Sequence, residues 1–469
     1  MPFFVSLRRI NTHINMYGKI TNITNILAYA CCAAFVFLIP FGWQSANYIL
    51  GSFALFAVMN PKLYSNFKST RLSFAEKAVL ALTAAYIIWE FVTMLWTFNT
   101  GRGMKVITRH LPLFAMPCLM VIAKIGKIIK RPGVILQIFC LGVLVSMVLC
   151  LILSYRDSFY VAHGETIFDH RLPDYRDRDH FTALSSGYSY FSYSHLSHFE
   201  NPHYLATFIN VVMMVLYVKF YQCNFKGWRV VALSVLVVFC VAFLFLLCNR
   251  ANYIIFAIML CMIAVYEFFI KKHRILGIGM SVGIIAIVAI MFSTGRGYDM
   301  LFKMQRAVAE RADNQSPMTE EERLERINSR TIIWTSASHL IAKHPILGSG
   351  VGDTMEALIG QYYIDGYLET GDAGFNSHNQ YLDTWIGLGL VGVLLLLSLI
   401  AVPIIAGVKY GYLPLILYGM ALIVGFVTEV MFTHSTGDFS ITLIMMLMIM
   451  SAIEKVNTTK SLSITVERT

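Results

Sequence analysis

Long apolar stretches recur along this chain and constrain its fold more than any other feature. A stretch of about 20 apolar residues crosses the hydrocarbon part of a bilayer as a helix, because a helix rises about 1.5 Å per residue. Hydrophobic residues make up 57% of the 469 residues and charged residues only 14%. A water-soluble domain could not bury so much apolar surface, so the sequence predicts a helical membrane protein.

We predict an all-α, polytopic fold with about twelve membrane-spanning helices and two long outer loops. The predicted spans lie near residues 23–41, 45–60, 75–97, 104–123, 134–154, 203–221, 229–248, 250–270, 275–293, 382–408, 412–433 and 436–453. The predicted segments are 1–154 (membrane helices 1–5), 155–202 (first outer loop), 203–293 (helices 6–9), 294–380 (large outer loop), 381–453 (helices 10–12) and 454–469 (tail). An even number of spans places both chain ends on the same side of the membrane.

Lysine and arginine residues collect in every second loop. One such loop contains Lys124, Lys127, Lys130 and Arg131. Because these residues accumulate on the cytoplasmic side of membrane helices, we expect both chain ends in the cytoplasm and the two long loops outside. Both long loops are net acidic, although the whole chain carries +10. The positive charge therefore reports membrane topology, and nucleic-acid binding is not indicated.

Two arginines lie in predicted membrane segments. Arg250 separates the apolar runs 235–247 and 253–265, and Arg109 lies inside the fourth predicted span. An unpaired guanidinium near the membrane centre costs at least ~2–3 kcal/mol, so a functional or paired role is the first hypothesis for Arg250. The alternative is an arginine whose side chain reaches the interface. Arg109 adds a cation on the same predicted outer side.

The large outer loop contains a predicted amphipathic helix. Thr319 and Glu322 resemble a capping box, and apolar residues at helical spacing follow until His344-Pro345. Trp334 belongs to this apolar stripe, and Arg330, one turn away, borders it, where a lipid phosphate could meet the guanidinium; the alternative is a solvated arginine. The glycine-rich segment 348–352 could bind an anion through its backbone amides, but a turn is the favoured interpretation.

A histidine lies at the predicted outer end of the tenth span, in Ser377-His378-Asn379-Gln380-Tyr381-Leu382. The His378 ring could take a proton from an incoming hydroxyl, with Asn379 orienting it. A structural histidine is the alternative. The histidines in and beside the first outer loop, including His203, show no metal-like pairing, and we interpret them as loop residues.

These features together resemble the O-antigen ligase superfamily, the integral membrane glycosyltransferases that include O-antigen ligases and O-antigen polymerase-like proteins. The resemblance is carried by Arg250 after a hydrophobic span, Ser329-Arg330-Thr331 with Trp334, Gly348-Ser349-Gly350-Val351-Gly352, and His378-Asn379-Gln380-Tyr381-Leu382 leading into Gly387-Leu388-Gly389-Leu390-Val391-Gly392. The strongest similarity covers about residues 325–400.

The resemblance implies a GT-C-like glycosyltransferase of the bacterial inner membrane, with an undecaprenyl-diphosphate-linked glycan as donor and an active site facing the periplasm. By similarity, Arg250 and Arg330 would hold the diphosphate, and His378 would activate the acceptor hydroxyl. Arg109, Asn379 and Trp334 are possible supporting residues. The implied reaction inverts the anomeric centre and uses no metal or other cofactor.

The acceptor stays open. An O-antigen ligase acting on lipid A core is the first hypothesis, and a polymerase of O-antigen or exopolysaccharide repeat units is the second; a protein O-oligosaccharyltransferase is not separated from them. A hypothesis of another class is an exporter of a lipid-linked or anionic solute, which intramembrane arginines would also suit. The two long outer loops and the absence of recognisable repeated halves favour the enzyme.

Overall fold

A computed structural model describes residues 21–42, 46–223, 227–275, 277–279, 281–283, 330–433 and 435–466. Its helices before residue 224 are α1 (Thr21–Phe41), α2 (Ala46–Val58), α3 (Pro61–Asn66), α4 (Phe74–Thr93), α5 (Thr100–Ile125), α6 (Pro132–Asp157), α7 (His180–Ser186), α8 (Tyr193–Leu196) and α9 (Pro202–Gln222). The later helices are α10 (Trp228–Leu246), α11 (Arg250–Val265), α12 (Arg330–Lys343), α13 (Thr354–Ile364), α14 (Leu368–Ala373), α15 (Gln380–Tyr410), α16 (Leu413–Thr428) and α17 (Ser435–Val466). A π-helical turn, Tyr266–Ile270, extends α11, and strands β1 (Phe159–Ala162) and β2 (Glu165–Phe168) form an antiparallel hairpin.

Eight helices in the described part of the chain are long and apolar enough to cross a membrane, namely α1, α5, α6, α9, α10, α11 with its extension, α15 and α17. Two shorter apolar helices, α2 and α16, lie at the second and eleventh predicted spans. At the third predicted span, helix α4 carries the charged residues Glu76, Lys77 and Glu90. The ninth predicted span lies mostly outside the described residues. The structure confirms a helical membrane protein, while twelve spans and a GT-C-like arrangement remain predictions.

Asparagine caps fix where four helices begin on the predicted outer side. The caps are Asn99 before α5, Asn201 before α9, Asn249 before α11 and Asn379 before α15, and each side-chain oxygen accepts a backbone N–H of its first turn. Such a cap satisfies donors that would otherwise lack a partner at a helix start. Arg250 and His378 therefore lie directly at capped helix starts.

The membrane core is built around α17. This helix packs against α5, α6 and α15, and its side chains from Met445 to Ile449 are fully buried. Helix α15 in turn packs along α4 and α16, and α16 packs along α11. Helix α11, which begins at Arg250, and helix α15, which begins just after His378, are thus held together through α16.

The predicted amphipathic helix of the large outer loop is described from Arg330 onward as α12. It ends at Lys343, immediately before His344-Pro345, as the sequence predicts. A small apolar cluster joins it to α13 and the start of α15: Ile333, Ala337, Leu340, Leu358, Tyr362 and Ile386. The predicted capping box at Thr319 and Glu322 lies outside the described residues.

Helix α15 is interrupted at Gly389, whose φ is +65°. The carbonyl oxygens exposed by the break accept hydrogen bonds from elsewhere: Ile386 from Ser349 N (2.7 Å), Gly387 from Gly350 N (3.0 Å) and Leu388 from Trp89 Nε1 (2.9 Å). Broken helices are tolerated in membrane proteins where other protein groups satisfy the freed backbone. The segment before α13 is thereby docked into α15.

Candidate functional site

The backbone around His378 is held in an unusual conformation. His378 has a φ of +45°, in the left-handed region that side chains other than glycine rarely adopt. Its N–H donates to Asn376 Oδ1 (3.0 Å), and the carbonyl of the preceding Ser377 accepts from Trp334 Nε1 (3.0 Å). Residues in such conformations persist where surrounding contacts impose them, and they cluster at functional sites. Trp334 therefore supports the position of His378 through the backbone.

The His378 ring faces a carboxylate. Its Nδ1 lies 3.4 Å from Glu429 Oε1, an ion-pair distance, and 24% of the side chain is exposed. Among the described residues, neither ring nitrogen has a hydrogen-bond partner. Asn379 caps α15 with its side chain, so its effect on the ring is indirect. Beyond the contact with Glu429, the ring therefore has hydrogen-bonding capacity that the described residues do not use.

Glu429 lies just beyond the end of α16. The predicted span 412–433 runs through this position, but the helix ends at Thr428 because Glu429 takes extended backbone angles (φ −154°, ψ 153°). Burial alone would raise the pKa of the Glu429 carboxyl; the neighbouring His378, with the charges of His203 and Arg330, lowers that pKa below its usual range. Glu429 is therefore an anion at neutral pH.

The chain that follows Glu429 is clamped by three side chains. Tyr204 OH donates to the Met431 carbonyl (2.9 Å), Gln380 Oε1 accepts from Phe432 N (2.9 Å), and His110 Nε2 lies 3.1 Å from the Phe432 carbonyl. These side chains come from α9, α15 and α5. The His110 ring is itself held in place, because its Nδ1 lies 2.5 Å from the buried carboxyl of Glu90.

Arg330 reaches the same end of α16 from the outer helix. Its Nη2 donates to the Thr428 carbonyl (3.0 Å), one residue before Glu429. The side chain is exposed and extends from the first described residue of α12. Arg330 and His378 thus approach one helix end from two different elements.

Arg250 begins α11, whose start is joined to that of α9. Asn249 Nδ2 lies 3.4 Å from His203 Nδ1. His203 in turn is within electrostatic range of Glu429 and Arg330. Arg250 therefore lies at the same outer region of the bundle as Arg330 and His378, on a neighbouring helix.

Sequence reasoning missed His203 and Glu429. The interpretation of His203 as a loop residue is wrong: it is the second residue of α9, only 6% exposed, and its Nε2 has no hydrogen-bond partner in the described part of the chain. The predicted span 203–221 begins at this residue, and Asn201-Pro202 before it is a recognisable helix-start signal, so the loop interpretation conflicted with the span prediction. No local signal distinguishes Glu429, because its neighbour His378 is 51 positions away in sequence.

Other predicted features lie apart from this cluster. Arg109 is exposed on α5, and no contact in the described regions joins it to Arg330 or His378. The glycine segment forms a docked turn: the N–H groups of Ser349, Gly350 and Val351 all donate within the chain, so they do not form an anion cradle. Within the described residues, no group of three or more His, Cys, Asp or Glu side chains is arranged to hold a metal ion.

This fold, with its polar cluster where several helices begin or end, is that of a polytopic membrane protein with a candidate site at one end of its helical bundle. Residues 235–397 match the family model described as O-Antigen ligase, which confirms the resemblance to the O-antigen ligase superfamily. The match supports a ligase- or polymerase-like glycosyltransferase. It includes Arg250, Arg330 and His378 and ends before Glu429. No curated protein matches the chain.

Proposed function

We propose that this protein transfers a glycan from undecaprenyl diphosphate to an acceptor hydroxyl on the periplasmic face of the bacterial inner membrane. A ligase acting on lipid A core is the first form of the proposal. One observation carries it: a histidine whose Nε2 has no hydrogen-bond partner among the described residues, and an arginine whose guanidinium suits a phosphate, both approach the same end of α16. Such a pair can combine proton removal with stabilisation of an anionic leaving group.

The arginines suit a diphosphate leaving group. A guanidinium offers five N–H donors in a planar fork that matches two phosphate oxygens at once. The bond from Arg330 to the Thr428 carbonyl holds that fork at the end of α16, one residue before the Glu429 that faces His378. Arg250, at the capped start of α11, would approach the diphosphate from the side of α9. Negative charge that develops on the departing diphosphate would be stabilised by both cations.

In the proposed reaction, His378 acts as the base for the acceptor hydroxyl, a role separate from that of the arginines. The ring takes the proton of the acceptor hydroxyl as its oxygen bonds to the anomeric carbon. The anomeric carbon–oxygen bond breaks at the same centre, and the electron pair leaves with undecaprenyl diphosphate. Attack from the face opposite the leaving group inverts the anomeric configuration.

A reconstituted assay tests the proposal. Purified protein in liposomes is given undecaprenyl-diphosphate-linked glycan extracted from the source cells, with either lipid A core or a second lipid-linked repeat as acceptor. Glycan on lipid A core supports the ligase, and lengthened lipid-linked glycan supports the polymerase. If no covalent product forms with either acceptor while the lipid-linked glycan crosses the bilayer, the enzyme proposal fails and an exporter replaces it.

A further inference from the structure

A carboxylate faces the ring of His378 on the side of Nδ1, where Glu429 Oε1 lies 3.4 Å away. A histidine that removes a proton from a hydroxyl becomes a cation. A carboxylate at the opposite ring nitrogen stabilises that cation and determines which nitrogen carries the hydrogen beforehand. We propose that Glu429 is a positioning residue for glycan transfer, which keeps Nδ1 protonated and leaves Nε2 to take the acceptor proton. This inference rests on the proposed function of His378.

The position of Glu429 is fixed well enough for this role. Two residues further on, the backbone of Met431 and Phe432 is bonded by Tyr204, Gln380 and His110, from three different helices. On the other side of Glu429, the Thr428 carbonyl is bonded by Arg330. A carboxylate whose flanking backbone is held on both sides can orient a ring without first becoming ordered itself.

Glu429 also reduces the repulsion between two cations of the proposed site, Arg330 and the protonated ring of His378. The proton transfer creates a second cation, the His378 imidazolium, near the permanent charge of Arg330. Two cations at close range repel each other, and an anion between them reduces that repulsion. Glu429 is near both, since it contacts His378 and the charge of Arg330 acts on it. It remains a carboxylate throughout, because the acceptor proton stays on Nε2.

Substitution of Glu429 by glutamine tests the role. Glu429→Gln keeps the size of the side chain and removes its charge, so we expect kcat to fall roughly 10–100-fold with the Kd for undecaprenyl diphosphate unchanged. Glu429→Asp, which keeps the charge, should retain more activity than Glu429→Gln. The matched control is Glu356→Gln, which removes an exposed outer carboxylate paired with Arg102 and should leave kcat unchanged.

A double substitution separates positioning from simple structural support. In the His378→Ala background, Glu429→Gln should cause no further loss of single-turnover rate, since Glu429 acts through the ring. An unchanged kcat in Glu429→Gln, or an equal additional loss in the double variant, would overturn the inference. If His378→Ala alone kept normal turnover, the proposed function itself would fail. An inactive His378→Ala beside a normal Glu429→Gln would remove only the role of Glu429.

Discussion

Arg330 donates a hydrogen bond from Nη2 to the carbonyl oxygen of Thr428 over 3.0 Å, between residues 98 positions apart in the sequence. The bond ties the outer helix α12 to the end of the short apolar helix α16. It also places a guanidinium next to Glu429, the residue that faces His378. The proposed cation for the leaving group and the proposed base for the acceptor thus both contact one short stretch of chain, Thr428 and Glu429.

We expect Arg330→Lys to lower glycan transfer although the charge is retained. An ammonium cannot form two parallel bonds to a phosphate group, and losing one charge-assisted hydrogen bond costs ~1.5–3 kcal/mol, or roughly 10–100-fold. Transfer with a fixed acceptor and binding of undecaprenyl diphosphate are measured together. Arg102→Lys is the control, because Arg102 is a partly exposed arginine on the same side that pairs with Glu356. Full transfer and binding in Arg330→Lys would remove Arg330 from the diphosphate site.

His378→Ala should reduce the transfer rate per folded molecule by roughly 10²–10⁴-fold, the usual contribution of a general base. Binding of undecaprenyl diphosphate should change little, because His378 is assigned to the acceptor side. His339→Ala is the matched control: His339 is exposed on α12 and contacts Asp365. A loss of donor binding alone would move His378 into the diphosphate site, and normal turnover would end the base role.

The sequence predicts the helical, membrane-spanning character of the chain, because the length of an apolar stretch is a local property. The predicted end of the outer helix before His344-Pro345 and the positions of α5, α9 and α15 follow from such local signals. The short helices α2 and α16 show the limit of that approach. Average hydropathy predicts a span that continues past Glu429, to residue 433, whereas helix α16 ends at Thr428.

The candidate site was only partly predictable, because some of its residues meet only through contacts between distant parts of the sequence. Arg250, Arg330 and His378 stand out because each is a charged or titratable residue in a distinctive segment. His203 and Glu429 become visible only when the outer helix ends are brought together in space. The docking of Ser349 and Gly350 into the break of α15 is likewise a long-range contact that no local pattern encodes.

The orientation of the bundle is tested by labelling single cysteines with an impermeant maleimide in cells whose outer barrier alone is opened. The background is the chain with its nine native cysteines replaced by alanine. Ser338→Cys, exposed on α12, should react, and Lys68→Cys, exposed in a basic loop, should react only after the inner membrane is broken. Reaction in the opposite sense would invert the predicted topology and place His378 on the cytoplasmic side.

Gly389→Ala should destabilise the protein without direct damage to the chemistry. An added Cβ would lie 2.1 Å from the Ile346 carbonyl oxygen, and the φ of +65° disfavours any side chain. Together these effects should cost about 2–5 kcal/mol.

The measurement for Gly389→Ala is the thermal midpoint and the yield of monodisperse protein in detergent. Gly360→Ala in α13 is the matched control, since nothing lies within 4 Å of its added Cβ, and removal of a helical glycine should stabilise by ~0.5–1 kcal/mol. Gly389 lies eleven residues beyond His378, or about 16 Å along a helix, so transfer per folded molecule should stay near normal. If Gly389→Ala folds as well as the parent but loses transfer, the break in α15 serves the active site directly and its structural role alone is insufficient.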